Sequence, residues 1–407
     1  MALESSGAVL IEGPKMCGKT RTAVEHATSV LYMGDPAKIE DYLMLAVTSP
    51  STLLEGDTPR LIDEWQVAPR LWNGVRFEVD QRGLYGQFIL TGSAVPVDDP
   101  TLHTGTGRIT RILMRPMTLF ESLESSGDVS MNSLFNGDEI KGKSPLTIKD
   151  IAFALLRGGW PASVKEKGPA ALTHARNYVK AVMNTDVSRV DGVKKSPARV
   201  RKLLHSLARN TSTTANLKTV MADIDGEGTD GIKSDKTVTA YMNALQRLFV
   251  TEDIPAWGPH MRSKVPLRSH NKRHFIDPSI AAAILRISPE GLLNDFNTFG
   301  LLFESLCVRD IRVYAQALDG EVYHYRDKNG LEADVIIHLY DGRGGAIEIK
   351  MGSNEIEKAV KNLIKLRDKI DLDEMGEPSF LAVITAGEYA YRRNDGIYIV
   401  PIGCLKD

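Results

Sequence analysis

Eight residues, Gly13-Pro14-Lys15-Met16-Cys17-Gly18-Lys19-Thr20, restrict the fold of this chain more than any others. They follow directly on an apolar run, Ala8-Val9-Leu10-Ile11-Glu12, and lead into a helix-forming segment, Arg21-Thr22-Ala23-Val24-Glu25-His26-Ala27. The spacing is G-x-x-x-x-G-K-T between a strand and a helix, which is the context a phosphate-binding loop requires. Gly13 and Gly18 let the backbone turn back and aim its N–H groups inward. The helix N-terminus adds partial positive charge at the same place. Lys19 can then reach the β- and γ-phosphates of a nucleotide, and the Thr20 hydroxyl can ligate Mg²⁺. Gly13 through Arg21 form the candidate nucleotide-binding segment, with ATP and Mg²⁺ as the expected ligands. A chance match is the alternative. At average residue usage it is expected in roughly a few per cent of chains of this length at most, and the strand-to-helix context lowers that further.

A second motif supports the first. Arg60-Leu61-Ile62-Asp63-Glu64-Trp65-Gln66 is a short apolar strand ending in two acids. Alone, such an ending is a solvated turn. Following a phosphate loop, it reads as a Walker B strand, in which Asp63 holds Mg²⁺ and Glu64 orients the attacking water. Gly86-Gln87-Phe88-Ile89-Leu90-Thr91-Gly92-Ser93-Ala94 predicts a buried neighbouring strand. Either Thr91 or Ser93 would be its polar sensor of the γ-phosphate or the water; a plain strand-to-loop turn is the alternative. Arg108, just before the strand Ile109–Met114, is either an arginine finger acting across a homo-oligomer interface or a surface ion-pair residue. Cys17, inside the loop near a helix N-terminus, is either a thiol of lowered pKa or a small space-filling residue.

At 407 residues the chain is too long for one ordinary core, so two or three domains are expected. No apolar run approaches the ~20 residues of a membrane span, and the residues from Met1 to Ser6 lack a basic start and an apolar core. Cys17, Cys307 and Cys404 are scattered without metal-ligand spacing. These features predict a cytoplasmic protein with no membrane partner. Few residues precede the first strand, so either the adenine pocket is incomplete or the chain starts late. A net charge of −2 argues against polyanion binding by bulk charge. The distribution is uneven, however: residues 189–273 hold 16 Lys/Arg against 8 Asp/Glu.

Residues 125–144 are Gly-, Ser- and Asn-rich and predict a loop or insertion. A helix from Asp150 to Arg157 should stop at Gly158-Gly159-Trp160-Pro161, and 170–187 should be a linking helix. Pro197–Arg209 predicts a basic amphipathic helix with Ser196 as N-cap. A short helix over 214–224, a loop over 225–231 and a third helix over 235–249 follow. Three helices and a β-like extension predict a winged helix-turn-helix. Its third helix would offer Lys236 and Arg247 to a major groove, which makes DNA a candidate partner. Such modules also bind proteins.

A second constellation lies near the C-terminus. Glu304 sits on a predicted helix, Asp334 near the start of a strand, and Glu348-Ile349-Lys350 at the end of the next. Alternation puts Glu348 and Lys350 on one face. The D…E-x-K order resembles the restriction-endonuclease-like core. There, two acids such as Asp334 and Glu348 bind Mg²⁺ and the lysine activates water or stabilises the phosphorane. Glu304 matches the helical acid often found in that fold. Glu-x-Lys alone recurs on any solvated strand.

Taken together, the stretches 10–15, 60–66 and 88–93, and Arg108 through Met114-Arg115-Pro116-Met117 to Glu121, resemble the AAA-type ATPases of a prokaryotic family. Its members join an ATPase core to a C-terminal half of long-unassigned function. The resemblance implies an α/β protein with an AAA-type P-loop ATPase domain at 1–145 and a helical linker or lid at 146–195. A winged-helix region at 196–260 and a restriction-endonuclease-like α/β domain at 261–407 would follow. The function expected is Mg-dependent ATP hydrolysis coupled to action on nucleic acid. The alternative is an ATP-driven switch or scaffold controlling a protein partner through a non-cutting C-terminal domain.

Overall fold

A computed structural model of the chain describes residues 2–94, 104–190, 192–225, 234–260, 263 and 269–407. The chain forms two compact units. The first comprises Met1–Pro116, Asn184–Lys195 and Ala240–Val250; the second comprises Met117–Met183, Ser196–Thr239 and Thr251–Asp407.

The first unit is built on five parallel strands: β1 (Ala8–Glu12), β2 (Ser29–Tyr32), β3 (Arg60–Asp63), β4 (Phe88–Gly92) and β5 (Ile109–Leu113). Their order is β2-β3-β4-β1-β5. Successive side chains alternate between faces. Leu10, Ile62 and Leu90 therefore join one core with the helix Leu71–Arg82, through Leu71, Trp72 and Val75. Val9, Ile11, Leu61 and Ile89 join the other, against Ala23 of the helix Lys19–Glu25. Burial on both faces explains why these strands read as continuous apolar runs. The chain leaves β1 for the edge strand β2 and returns, so β4 and β5 flank β1. In a parallel sheet, ligands gather at the carboxyl ends beside such a reversal.

The sequence-based boundary at residue 145 is corrected. Residues 117–145 belong to the second unit, because their backbone is bonded there. Met117 N–H donates to the Gly159 carbonyl at 2.7 Å, and Leu119 N–H to Asp310 Oδ2 at 2.9 Å. The expected loop over 125–144 also carries structure: β6 (Val129–Ser130), the helix Met131–Phe135 and β7 (Gly142–Lys143). Met131, Leu134 and Phe135 are buried, and the Ser130 side chain caps the helix by accepting from Ser133 N–H.

The second unit holds a seven-stranded sheet of β7, β8 (Gly320–Arg326), β9 (Glu332–Leu339), β10 (Gly344–Lys350), β11 (Phe380–Thr385), β12 (Tyr389–Arg392) and β13 (Tyr398–Pro401). The order is β7-β12-β13-β11-β10-β9-β8. β8, β9 and β10 pair antiparallel, and β10, β11 and β13 pair parallel. The parallel step from β10 to β11 crosses over through the helix Ile356–Arg367, whose Ala359, Val360 and Leu363 bury against Ile336, Ala346 and Val383. The 22-residue helix Phe296–Ala317 precedes β8 and packs on β8, β9 and β10. β14 (Leu405–Lys406) pairs with β6.

Helices form at Pro197–Arg209, Leu217–Ile224 and Asp235–Arg247, as the sequence predicts. The first packs on the second and on the helix Pro278–Leu285. The third is shared between the two units, dividing after Thr239. Beyond Asp225, the loop expected over 225–231 lies outside the described residues. Among the described residues, the β-like extension shows as isolated bridges, Thr251 with Phe275 and Ile254 with Lys272.

Candidate functional site

β1 delivers the chain to Gly13, which has φ 153°. A Cβ there would lie 2.1 Å from the Met114 carbonyl oxygen, so only glycine fits. Gly18, at φ 108°, starts the helix Lys19–Glu25. The buried Lys19 ammonium donates to the Gly13 and Pro14 carbonyls at 3.0 and 2.7 Å. Arg21 turns outward to Glu25 at 2.5 Å, and Met16 is exposed. Lys15 is half exposed and pairs with Asp186 at 2.7 Å. Asp186 ends the π-type turn Val182–Asp186 and is nearly buried. Of the two readings of Cys17, the structure favours the space-filling one: it is fully buried, with Sγ 3.5 Å from the Met114 carbonyl. Burial pushes the thiol up, against the weaker pull of Lys19.

Asp63 ends β3 and faces the loop. Its Oδ1 accepts from the Thr20 hydroxyl at 2.7 Å and from the Thr91 hydroxyl at 2.6 Å. A hydroxyl and a carboxylate so placed are hard oxygens, suited to Mg²⁺. Glu64 has φ 57°, uncommon for a non-glycine residue. Its N–H donates to Thr91 Oγ1 at 3.0 Å, which holds that turn. Its carboxylate accepts from the Gln66 amide and from the Ser93 hydroxyl, the latter at 3.3 Å. Of the two candidate sensors, Thr91 is buried and holds Asp63 and the Glu64 backbone, while Ser93 is bonded to the Glu64 carboxylate. Arg108 stands elsewhere. Its carbonyl accepts from Ala8 N–H at 3.0 Å, at the amino end of β1, and its guanidinium pairs with Asp80 at 2.8 Å. It does not reach the loop of its own chain.

In the second unit the four matched positions converge. Both Asp334 oxygens are taken: Oδ1 by Lys272 at 3.0 Å, Oδ2 by Ile349 N–H at 2.9 Å and by Lys350 at 3.2 Å. Lys350 also pairs with Glu348 at 2.7 Å, confirming that they share a face. Lys272 lies 2.5 Å from Glu304 Oε1, off the direction of a good hydrogen bond. Burial would raise the Asp334 carboxyl, but Lys272, Lys350 and the Ile349 N–H outweigh it and hold it low. Burial and the nearby Asp334 charge push Glu348 up. Burial pushes Glu304 up to about 8, against the pull of Lys272. Hard carboxylate oxygens suit Mg²⁺ or Mn²⁺. Among the described residues, the group of His, Cys, Asp and Glu ligand atoms within 4.8 Å of one another is the surface set His260, Asp371 and Glu374. Glu304, Asp334 and Glu348 are joined through ammonium groups instead.

Sequence reasoning missed Lys272 altogether, because it lies inside a basic run that reads as solvated charge. It also missed Asp186, Gln66 and Asn362, the last 3.4 Å from Glu348 Oε1. His324 is buried, with Nε2 3.0 Å from the His270 carbonyl.

Family models match the chain in succession. An AAA domain covers residues 5–123, a domain of unknown function (DUF8612) residues 148–291, and a second domain of unknown function (DUF4143) residues 299–405. Residues 5–123 are therefore similar to AAA domains, over the same stretch that holds the phosphate loop and the Asp63–Glu64 strand. No curated protein matches. One similar solved structure is that of the Aeropyrum pernix Orc1 protein in complex with DNA, 11% identical with a TM-score of 0.23, covering 69% of this chain and 86% of that one. A likeness at that level carries no argument about fold or function. No helix among the described residues is long and apolar enough to cross a membrane.

Proposed function

We propose that this chain binds and hydrolyses ATP with Mg²⁺ and couples the cycle to action on nucleic acid. One observation carries the proposal: Thr20 and Thr91 converge on a single Asp63 oxygen, beside a Glu64 carboxylate held by Ser93 and Gln66. Thr20 and Asp63 would hold the metal, which when bound supplies neutralising charge at the phosphates. Lys19 and the loop N–H groups bind the β- and γ-phosphates. Glu64 orients the attacking water and accepts its proton.

The proposed place of action is the C-terminal cluster on a restriction-endonuclease-like core. The order helix, β8, β9, β10, helix, β11 supports that core, with Asp334 on β9, Glu348 and Lys350 on β10, and Glu304 on the preceding helix. Asp334 and Glu348 would hold Mg²⁺, Glu304 would add to the shell, and Lys350 would face the charge developing on a phosphodiester. The region 196–260, proposed as winged-helix-like, would bring Lys236 and Arg247 to DNA, with affinity falling steeply in salt. A second reading, an ATP-driven switch with a non-cutting C-terminal module, is favoured by the internal pairing of the cluster with two lysines.

The test is ATP turnover with and without single- and double-stranded DNA, alongside cleavage assays in Mg²⁺ and Mn²⁺. Glu64→Gln should bind ATP and hydrolyse it about 10²- to 10⁴-fold more slowly. Lys350→Ala should lose cleavage and keep ATP turnover. Equal turnover in wild type and Glu64→Gln would refute the Walker B role given to Glu64. ATP turnover that ignores DNA, with no cleavage, would select the switch.

A further inference from the structure

Lys272 is built into the acidic cluster. Its backbone is clamped to Ile254 by two hydrogen bonds, of 2.8 and 2.9 Å. Its side chain is 11% exposed and spans Glu304, from the long helix, and Asp334, from β9. We infer that Lys272 is the resident cation of this cluster, and that a divalent metal enters by exchanging with its ammonium. The inference rests on the proposed reading of the cluster as a metal site.

Charge and geometry both lead there. With every group ionised, three carboxylates face two ammoniums in a place nearly closed to water, a formal balance of −1. Asp334 Oδ2 keeps the Ile349 N–H and Lys350 whatever happens at Oδ1. Oδ1 has Lys272 as its partner. A metal entering the proposed shell from its Glu304 side, at Oδ1 and Glu304, would therefore stand where the ammonium stands. The two cations cannot share that space, because their repulsion at short range and low dielectric is large. Removing the lysine charge leaves a cluster of −2, which a divalent ion matches. Lys350 is the poorer exchange partner, because it donates to the Asp334 oxygen that the Ile349 N–H also holds, so a metal there would compete with that backbone bond.

The experiment is Mn²⁺ titration of the full, nucleotide-free chain, reading free ion by electron paramagnetic resonance. Wild type, Lys272→Met and Lys272→Arg are compared, each with and without Asp334→Asn. The Asp334→Asn backgrounds subtract Mn²⁺ held elsewhere, including at Thr20 and Asp63 or at His260, Asp371 and Glu374. Lys272→Met should bind Mn²⁺ at the cluster at least about tenfold more tightly than wild type, since an opposing charge is gone. Lys272→Arg should stay close to wild type. If Lys272→Met needs Mn²⁺ to fold, that supports exchange; if it stays unfolded with excess Mn²⁺, exchange is overturned. Equal affinity in wild type and Lys272→Met, lost in both with Asp334→Asn, would overturn exchange and leave the metal site standing. No Asp334-dependent Mn²⁺ in any form would overturn the metal reading itself.

Discussion

Asp63 and Thr91 meet side chain to side chain at 2.6 Å, from the ends of neighbouring strands β3 and β4. The same Thr91 oxygen accepts the Glu64 N–H at 3.0 Å, so one buried hydroxyl sets both acids of the motif. Thr91→Val keeps the shape and removes both bonds. The Glu64 N–H would lose its partner, at a cost of about 1–3 kcal/mol. Misaligned acids should lower ATP turnover by about 10- to 100-fold, as loss of a supporting partner does at metal sites. Denaturation and steady-state kinetics check both numbers. Full turnover in Thr91→Val would reduce the residue to core packing.

Arg108 lies at the amino end of the first sheet, and the phosphate loop lies at the carboxyl end. Any catalytic part it plays must therefore be on a neighbouring chain. Arg108→Ala should lose ATP turnover, and mixing it with Glu64→Gln should partly restore it, because some interfaces would then carry both native groups. The mixing curve is read against each variant alone. A monomeric protein with full turnover would leave Arg108 as the ion-pair partner of Asp80.

How much of this was legible depended on sequence distance. The phosphate loop is contiguous, so its chemistry shows in residues 13–20 without any tertiary information. Asp63 and Glu64 follow from their place after a short apolar strand. Glu348 and Lys350 are two apart and share a strand face. Lys272, by contrast, is 62 residues from Asp334, and Lys15 is 171 from Asp186. No local pattern marks such a pair, and a lysine in a basic run resembles any solvated charge. The buried Met131, Leu134 and Phe135 were masked by the glycines and serines around them. The expected domain boundary failed for a related reason, since the bonds from Met117 and Leu119 go to residues far along the chain.

Cys17 is surrounded by the loop it belongs to, and burial raises its thiol pKa. Alkylation requires thiolate and access, and the fold denies both. Iodoacetamide should leave Cys17 unmodified in the native protein and modify it after denaturation, as read by peptide mass spectrometry. Cys17→Ala should bind ATP as wild type does. Rapid native alkylation that bound ATP prevents would instead show a loop that opens.

His324 supplies the clearest pH signature. Its ring is buried, and Nε2 faces the His270 carbonyl, so Nε2 carries a hydrogen. Burial lowers its pKa from 6.5 to about 4, against the pull of the His270 bond, with Lys272 and Arg326 adding to the lowering. The unfolded state therefore takes up a proton that the folded state refuses. The stabilisation is fully present above pH 6.5 and is lost as pH falls toward about 4. The loss is on the order of 3 kcal/mol for this group alone. His324→Gln cannot charge, so its stability should fall less across that window, although it should be lower at neutral pH because the ring packing is lost. Urea denaturation at several values between neutral pH and pH 4 measures the slopes. Parallel slopes in the two proteins would show that His324 is protonated in the folded state as readily as in the unfolded one.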